Sequence, residues 1–229
     1  MKHLILVLLF YSICLINHAQ GKNCQCDFYP VDKDALEDKI TGIALIDENN
    51  KLPAGETYCQ WSTGNIILNN GEVIKDRNIR YDGFADQLII NVIDKNVKLA
   101  VEKNTIQGFD IKMFKSEKML HYKTVNIKEF FTNEYHTALL QVLVAGKTSL
   151  YAYRRLQYVG QTYELQDNFS YIVIKEDGTM YHFLHYSRRY IASLFLEKKD
   201  VLKTQLRKQH NRVRNEEQLI KAIELANSL

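Results

Sequence analysis

Two histidines three residues apart, His182 and His185, are the first residues in this 229-residue chain whose types suggest chemistry. On a helix an HxxH pair shares one face and can hold zinc. Here the pair falls in an alternating apolar run, where residues three apart point to opposite sides of a strand, so the expectation is a structural histidine and no metal. Glu134-Tyr135-His136 sets a carboxylate near an imidazole, but residues this close rarely face one substrate. The chain has no GxSxG elbow, no HExxH and no Walker-type glycine loop, so no catalytic residue and no cofactor is assigned. Asp82 and Asp86 flank Gly83. A calcium loop needs six or more oxygens, and two carboxylates read instead as a turn between strands.

Tyrosine is the over-used residue, with fourteen in the chain. Tyr151, Tyr153, Tyr171 and Tyr181 are the candidates for lining a ligand cleft, since the ring offers area and the hydroxyl a polar handle. Tyrosine is also a good strand former in any sheet. Lys203, Arg207, His210 and Arg214 recur at helical spacing. If one helix runs through them they form a basic stripe, suited to weak contact with an anionic membrane surface or to solvent. Cys24, Cys26 and Cys59 are the disulfide candidates, with Cys59 bridging to one of the other two in an oxidising compartment.

The elements that must position these groups begin after a leader. Lys2 precedes an uncharged apolar run, Leu4 to Ile16, and Ala19 stands before Gln20. This is the layout of a secretory signal over residues 1–19, and the run is too short to span a bilayer comfortably. Export to the periplasm, the cell surface or the medium is therefore expected. Without the leader the net charge falls from +3 to +2, split as −3 over residues 20–186 and +5 over residues 187–229. The near-neutral total argues against a nucleic-acid binder.

Residues 20–186 read as strands and hairpins, and no repeat or proline-rich linker divides them. Strands are predicted at Gly42–Ile46, Asn78–Tyr81, Gln87–Ile93, Val97–Glu102 and Gln107–Met113, with Asp94-Lys95-Asn96 as a hairpin loop. Asn70-Gly71 predicts a type I′ turn setting Leu68 opposite Val73, and Gly146-Lys147 predicts a type II′ turn setting Val142 opposite Tyr151. Asp177-Gly178 is the clearest hairpin signal. It is expected to place Ile172, Ile174, Tyr181 and Phe183 on one face and Tyr171, Val173, His182 and Leu184 on the other. Residues 187–229 read as three short helices, capped at Ser187, opened near Asp200 and capped at Asn215. Such helices must dock on the sheet. The expected fold is mainly β (α+β), an antiparallel sandwich or barrel-like sheet with a C-terminal helical segment.

RYDGFADQLII (Arg80–Ile90), IQGFDI (Ile106–Ile111), the strand Ala138–Leu143 before Ala145-Gly146-Lys147 and Leu150-Tyr151, and the lysine-rich helical end form a pattern. It resembles an uncharacterised family of exported proteins of Bacteroidota. That resemblance covers nearly the whole chain after the leader and implies an address outside the cytoplasm, but no catalytic residues. The expected role is a non-catalytic binding or scaffolding domain of the cell envelope, whose partner would be an envelope protein, a glycan or a lipid. The alternatives are a carrier with a tyrosine-lined cleft for an apolar or sugar-like ligand, and a hydrolase assembled from dispersed residues.

Overall fold

A computed structural model describes residues 39–45, 61–92, 97–113, 116–128, 134–159 and 164–229. The expected leader over residues 1–19, the three candidate cysteines and the expected Asp94-Lys95-Asn96 loop lie outside the described residues. Among the described residues, eleven strands form one antiparallel sheet: β1 (Gly42–Leu45), β2 (Ser62–Leu68), β3 (Val73–Asp82), β4 (Gln87–Val92), β5 (Val97–Val101), β6 (Ile106–Lys112), β7 (Met119–Lys128), β8 (Tyr135–Val144), β9 (Thr148–Val159), β10 (Glu164–Lys175) and β11 (Met180–Phe183). Their order across the sheet is β1-β5-β4-β3-β2-β6-β7-β8-β9-β10-β11. From β6 onward the chain is a plain meander, because each neighbour is reached through a short connection. Three helices follow: α1 (Arg188–Ser193), α2 (Lys199–Lys208) and α3 (Glu216–Ser228). The mainly β architecture with a C-terminal helical segment is as the sequence led one to expect.

The hairpins fall where the Gly signals stand, but the turns differ from expectation. Gly71 and Gly178 have φ of +84° and +81°, while Asn70 and Asp177 are not left-handed. The Gly71 amide bonds to the Leu68 carbonyl, and the Leu68 amide to the Glu72 carbonyl, each at 2.9 Å. Lys175, Gly178 and Thr179 repeat this arrangement. Both are type I turns closed by a left-handed glycine, which adds one residue to the connection. The consequence is a one-residue shift. Ile67 pairs with Val73, and Tyr171 pairs with Phe183. Tyr171, Val173, Tyr181 and Phe183 therefore share a face, and Ile172, Ile174 and His182 take the other, the reverse of the expected sets. At the β8–β9 turn Val142 does pair with Tyr151, but a bulge then sets Val144 against Leu150. Gly146 is not left-handed, so no type II′ turn forms there.

One core holds the N-terminal half, from Ile66, Ile79, Leu88 and Ile90 to Ile106 and Leu139, with Tyr81, Phe109 and Tyr122 at its centre. Phe109 and Tyr122 stack at 4.5 Å with their planes 7° apart, and Tyr81 leans on Tyr122 at 4.9 Å. Such ring pairs are worth about 1 kcal/mol each beyond the area they bury. A second core joins β8–β11 to the helices through Leu150, Val173, Phe183, Leu202, Leu206 and Ile223. A smaller third cluster, with Leu140, Tyr151, Tyr153 and Ile172, occupies the opposite face of the same strands.

Ser187 Oγ accepts from the Tyr190 amide, and Asn215 Oδ1 from the Gln218 amide, capping α1 and α3 as expected. The basic stripe needs correction. His210 is left-handed at φ +52°, and the Asn211 amide turns back to the Leu206 carbonyl at 2.9 Å. That geometry closes α2 just after Lys208. Lys203 and Arg207 remain on one helix, whereas Arg214 lies in the non-helical link to α3.

Candidate functional site

The β3–β4 turn, the segment expected to be a simple connection, does the most to shape the molecule. Asp82 Oδ1 accepts the amides of Phe84 and Ala85, which tightens the turn. The turn then reaches strands five positions away in the sheet order. Five flat spacings would be about 24 Å, so the sheet must curl to bring them together. The β8–β9 ladder runs only from Gln141–Ala152 to Val144–Leu150, and the turn enters where the two strands part. Gly83 O accepts from the Leu156 amide at 3.0 Å, and Asp86 Oδ1 accepts from the Leu139 amide at 3.3 Å. A side chain at Gly83 would meet the Arg154 carbonyl at 2.5 Å, so only glycine fits.

Asp86 is 1% exposed and left-handed at φ +54°, a conformation aspartate tolerates better than most residues. Its carboxylate also accepts from Tyr81 Oη at 2.9 Å, Lys103 Nζ at 2.8 Å and Tyr153 Oη at 3.2 Å. Lys103 comes from the 3₁₀ turn Lys103–Thr105, and Arg155 Nη1 donates to Tyr153 Oη at 3.1 Å. Burial raises the Asp86 pKa above the usual carboxylate value, and Lys103, Tyr81 and Arg155 offset this only in part. Both tyrosine hydroxyls are raised, first by burial and then by the Asp86 charge.

A second polar cluster ties α3 to the sheet. Arg154, 4% exposed, donates from Nε to Gln141 Oε1 at 2.6 Å. Its Nη1 reaches Glu216 at 2.7 Å, and Tyr171 Oη donates to the same carboxylate at 3.0 Å. Burial opposes ionisation of Glu216, but the Arg154 hydrogen bond and charge, with Tyr171, hold its pKa below the usual range. At the far end of α3, Asn227 bonds both the amide and the carbonyl of Thr148, at 2.9 and 2.8 Å. The two anchors match in length. Glu216 to Asn227 spans about 16 Å of helix, and Arg154 to Thr148 about 20 Å of strand.

The third feature is an open groove of about 440 Å³ at the polar end of the N-terminal half. Its carboxamides are Asn69 from the β2–β3 turn, Asn104 from the 3₁₀ turn, Gln107 on β6 and Asn126 on β7. Asn69 Nδ2 donates to the Asn104 carbonyl at 2.5 Å, and Gln107 Nε2 to the Asn69 carbonyl at 3.0 Å, so two amides are held in place. Thr124 and Thr137 add hydroxyls, Lys123 the single charge, and Ile106 an apolar floor. Thr124 Oγ1 is buried and has no hydrogen-bond partner among the described residues, at a cost of about 1–3 kcal/mol if left dry.

The four candidate tyrosines do not come together. Tyr151 and Tyr153 belong to the cluster on one face of β9, and Tyr171 and Tyr181 to the helix-covered core on the other. None of them lines the groove. Tyr153 and Tyr171 instead serve the two polar clusters just described. His182 Nε2 lies 2.7 Å from Ser170 Oγ, while His185 is exposed beyond β11. His121 Nδ1 and Asp110 Oδ1 are 2.7 Å apart on β7 and β6, with the imidazole side chain 63% exposed, so this pair sits on an open face. No group of three metal-binding side chains occurs among the described residues. No helix of the described residues is long and apolar enough to cross a membrane.

Sequence reasoning placed Asp86 in its turn but missed its buried role, and it did not single out Arg154, Glu216 or the groove carboxamides. Gln141 was the visible cue for one of them, a lone polar residue in an apolar strand that turns out to hold Arg154. No family model, curated protein or solved structure matches the chain.

Proposed function

We propose that the protein is an exported, non-catalytic domain that binds or scaffolds a component of the cell envelope. The observation that carries this reading is how the fold uses its buried and half-buried charges. Both oxygens of Asp86 and of Glu216 are taken by donors from other elements, most of them far along the chain, so these ionisable groups hold the sheet curled and the last helix docked. A rigid frame of this kind leaves its hydrogen-bonding capacity for a ligand in the groove. The leader over residues 1–19 and the family resemblance support the address.

The test has two arms. Expressed from its own start codon in a Gram-negative host, the chain is expected in the envelope or the medium with Gln20 as its first residue. An uncut chain retained in the cytoplasm would refute export. Thermal-shift screening of the purified protein against glycans, lipids and envelope extracts is expected to give stabilisation, since a ligand at 100 times its Kd adds about 2.7 kcal/mol. Turnover of any of these compounds, with no stabilisation, would favour an enzyme instead.

A further inference from the structure

We infer that the groove between the β2–β3 turn, the 3₁₀ turn Lys103–Thr105 and strands β6–β8 is a binding site for a neutral, polyhydroxylated ligand, a short saccharide segment. This rests on the reading of the protein as a binding domain and names the ligand class of that domain.

The wall chemistry selects the class. A carboxamide carries one acceptor and two donors, and a hydroxyl carries both functions, so the lining presents mixed partners at close spacing. Sugar hydroxyls, themselves both donor and acceptor, match such a surface. A lipid tail would need an apolar wall, and here Ile106 alone supplies one. A phosphate or sulfate would need several cations, and Lys123 is the single charged side chain in the lining. The groove is open and offers about 440 Å³, which suits a ligand that keeps one side in solvent.

The arrangement is also prepared for a ligand. The Asn69 and Gln107 amide groups are each fixed through a donated hydrogen bond, which leaves their side-chain oxygens to accept and limits the entropy lost on binding. Thr124 and Asn126 share the inward face of β7 with the stacked Tyr122, two and four residues further on. The inner wall thus passes from aromatic core to buried hydroxyl to open carboxamide. The buried hydroxyl of Thr124, without a hydrogen-bond partner among the described residues, would gain one from a ligand.

The test is calorimetric titration of the purified chain with chitotriose, maltotriose and mannotriose, in wild type and in Thr124→Val and Asn126→Ala. At least one trisaccharide is expected to bind, with Kd between about 10 μM and 1 mM. Thr124→Val is expected to melt no lower than wild type while weakening binding about three- to tenfold, the loss of one hydrogen bond. Asn126→Ala is expected to weaken binding similarly. Silence from all three sugars at roughly 10 mM, or unchanged affinity in both variants, would overturn the site. Binding of oleate while the sugars stay silent would overturn it and leave the envelope-binding reading standing. Cleavage of a bound trisaccharide would keep the ligand class and overturn the non-catalytic reading.

Discussion

The carbonyl of Gly83 accepts the amide of Leu156 at 3.0 Å, joining a turn of the N-terminal half to a strand of the C-terminal half. Beside it, the Asp86 carboxylate takes the amide of Leu139 at the point where β8 leaves β9. The curl of the sheet is held at this junction. The backbone itself makes the contact, so the junction tolerates no side chain on the near side.

Gly83→Ala should therefore destabilise the protein by about 1–3 kcal/mol, the usual range for overpacking, because the new Cβ would lie 2.5 Å from a main-chain oxygen that cannot swing away. Urea denaturation measures this directly. A midpoint equal to wild type would show that the turn can lift off β9 without cost.

Asp86→Ala removes the acceptor of four donors and should cost about 3 kcal/mol. The pH dependence of Asp86→Asn is the finer test. The native pKa of Asp86 is raised, so the folded state holds this proton more tightly than the unfolded chain. Its stabilising contribution is fullest below the ordinary aspartate value and is lost as pH rises through the native pKa. Relative to Asp86→Asn, wild type should therefore lose stability as pH rises from strong acid across that interval. A gap that widens in wild type's favour over the same interval would contradict the assignment.

Glu216 should show the opposite sign. Its native pKa is lowered, so its contribution is present above the ordinary glutamate value and disappears as pH falls through the native one. Glu216→Gln should cost about 2 kcal/mol near neutrality. That is less than for a fully buried pair, because the Glu216 side chain is 32% exposed. The difference from wild type should vanish in acid, and denaturation midpoints at a series of pH values would show it.

Asn227→Ala should release the end of α3 from Thr148 at a cost of about 1–2 kcal/mol, and amide exchange at Thr148 should accelerate. A Cβ on Gly146 would meet Asn227 Nδ2 at 2.7 Å. Gly146→Ala should therefore disturb the same contact, and the two changes combined should cost less than their sum. Strict additivity would mean that the turn and the helix end are independent.

Much of the architecture could be read locally. Ser187 and Asn215 announce helix starts because a side-chain oxygen before a helical run satisfies an amide that the helix leaves open. Asn70-Gly71 and Asp177-Gly178 announce hairpins because glycine accepts positive φ. Strand β7 escaped the reading. Its inward face runs from Leu120 and Tyr122 to Thr124 and Asn126, so the apolar alternation fades where the strand begins to line the groove. The residues that make it a candidate binding element are the ones that hid it.

The sequence by itself determined the mainly β composition, the places of the hairpins, the helical end and the capping residues. Each of these depends on neighbours a few positions apart. The tertiary structure decided which faces the strands present, since one left-handed glycine per turn, rather than two left-handed residues, exchanges the partners of Tyr171 and Ile172. It also decided the sites. Asp86 meets Lys103, Leu139 and Tyr153 from 17, 53 and 67 residues away, and Arg154 meets Glu216 across 62. No spacing in the chain encodes such a meeting, because it arises from how far a sheet curls and where two strands part.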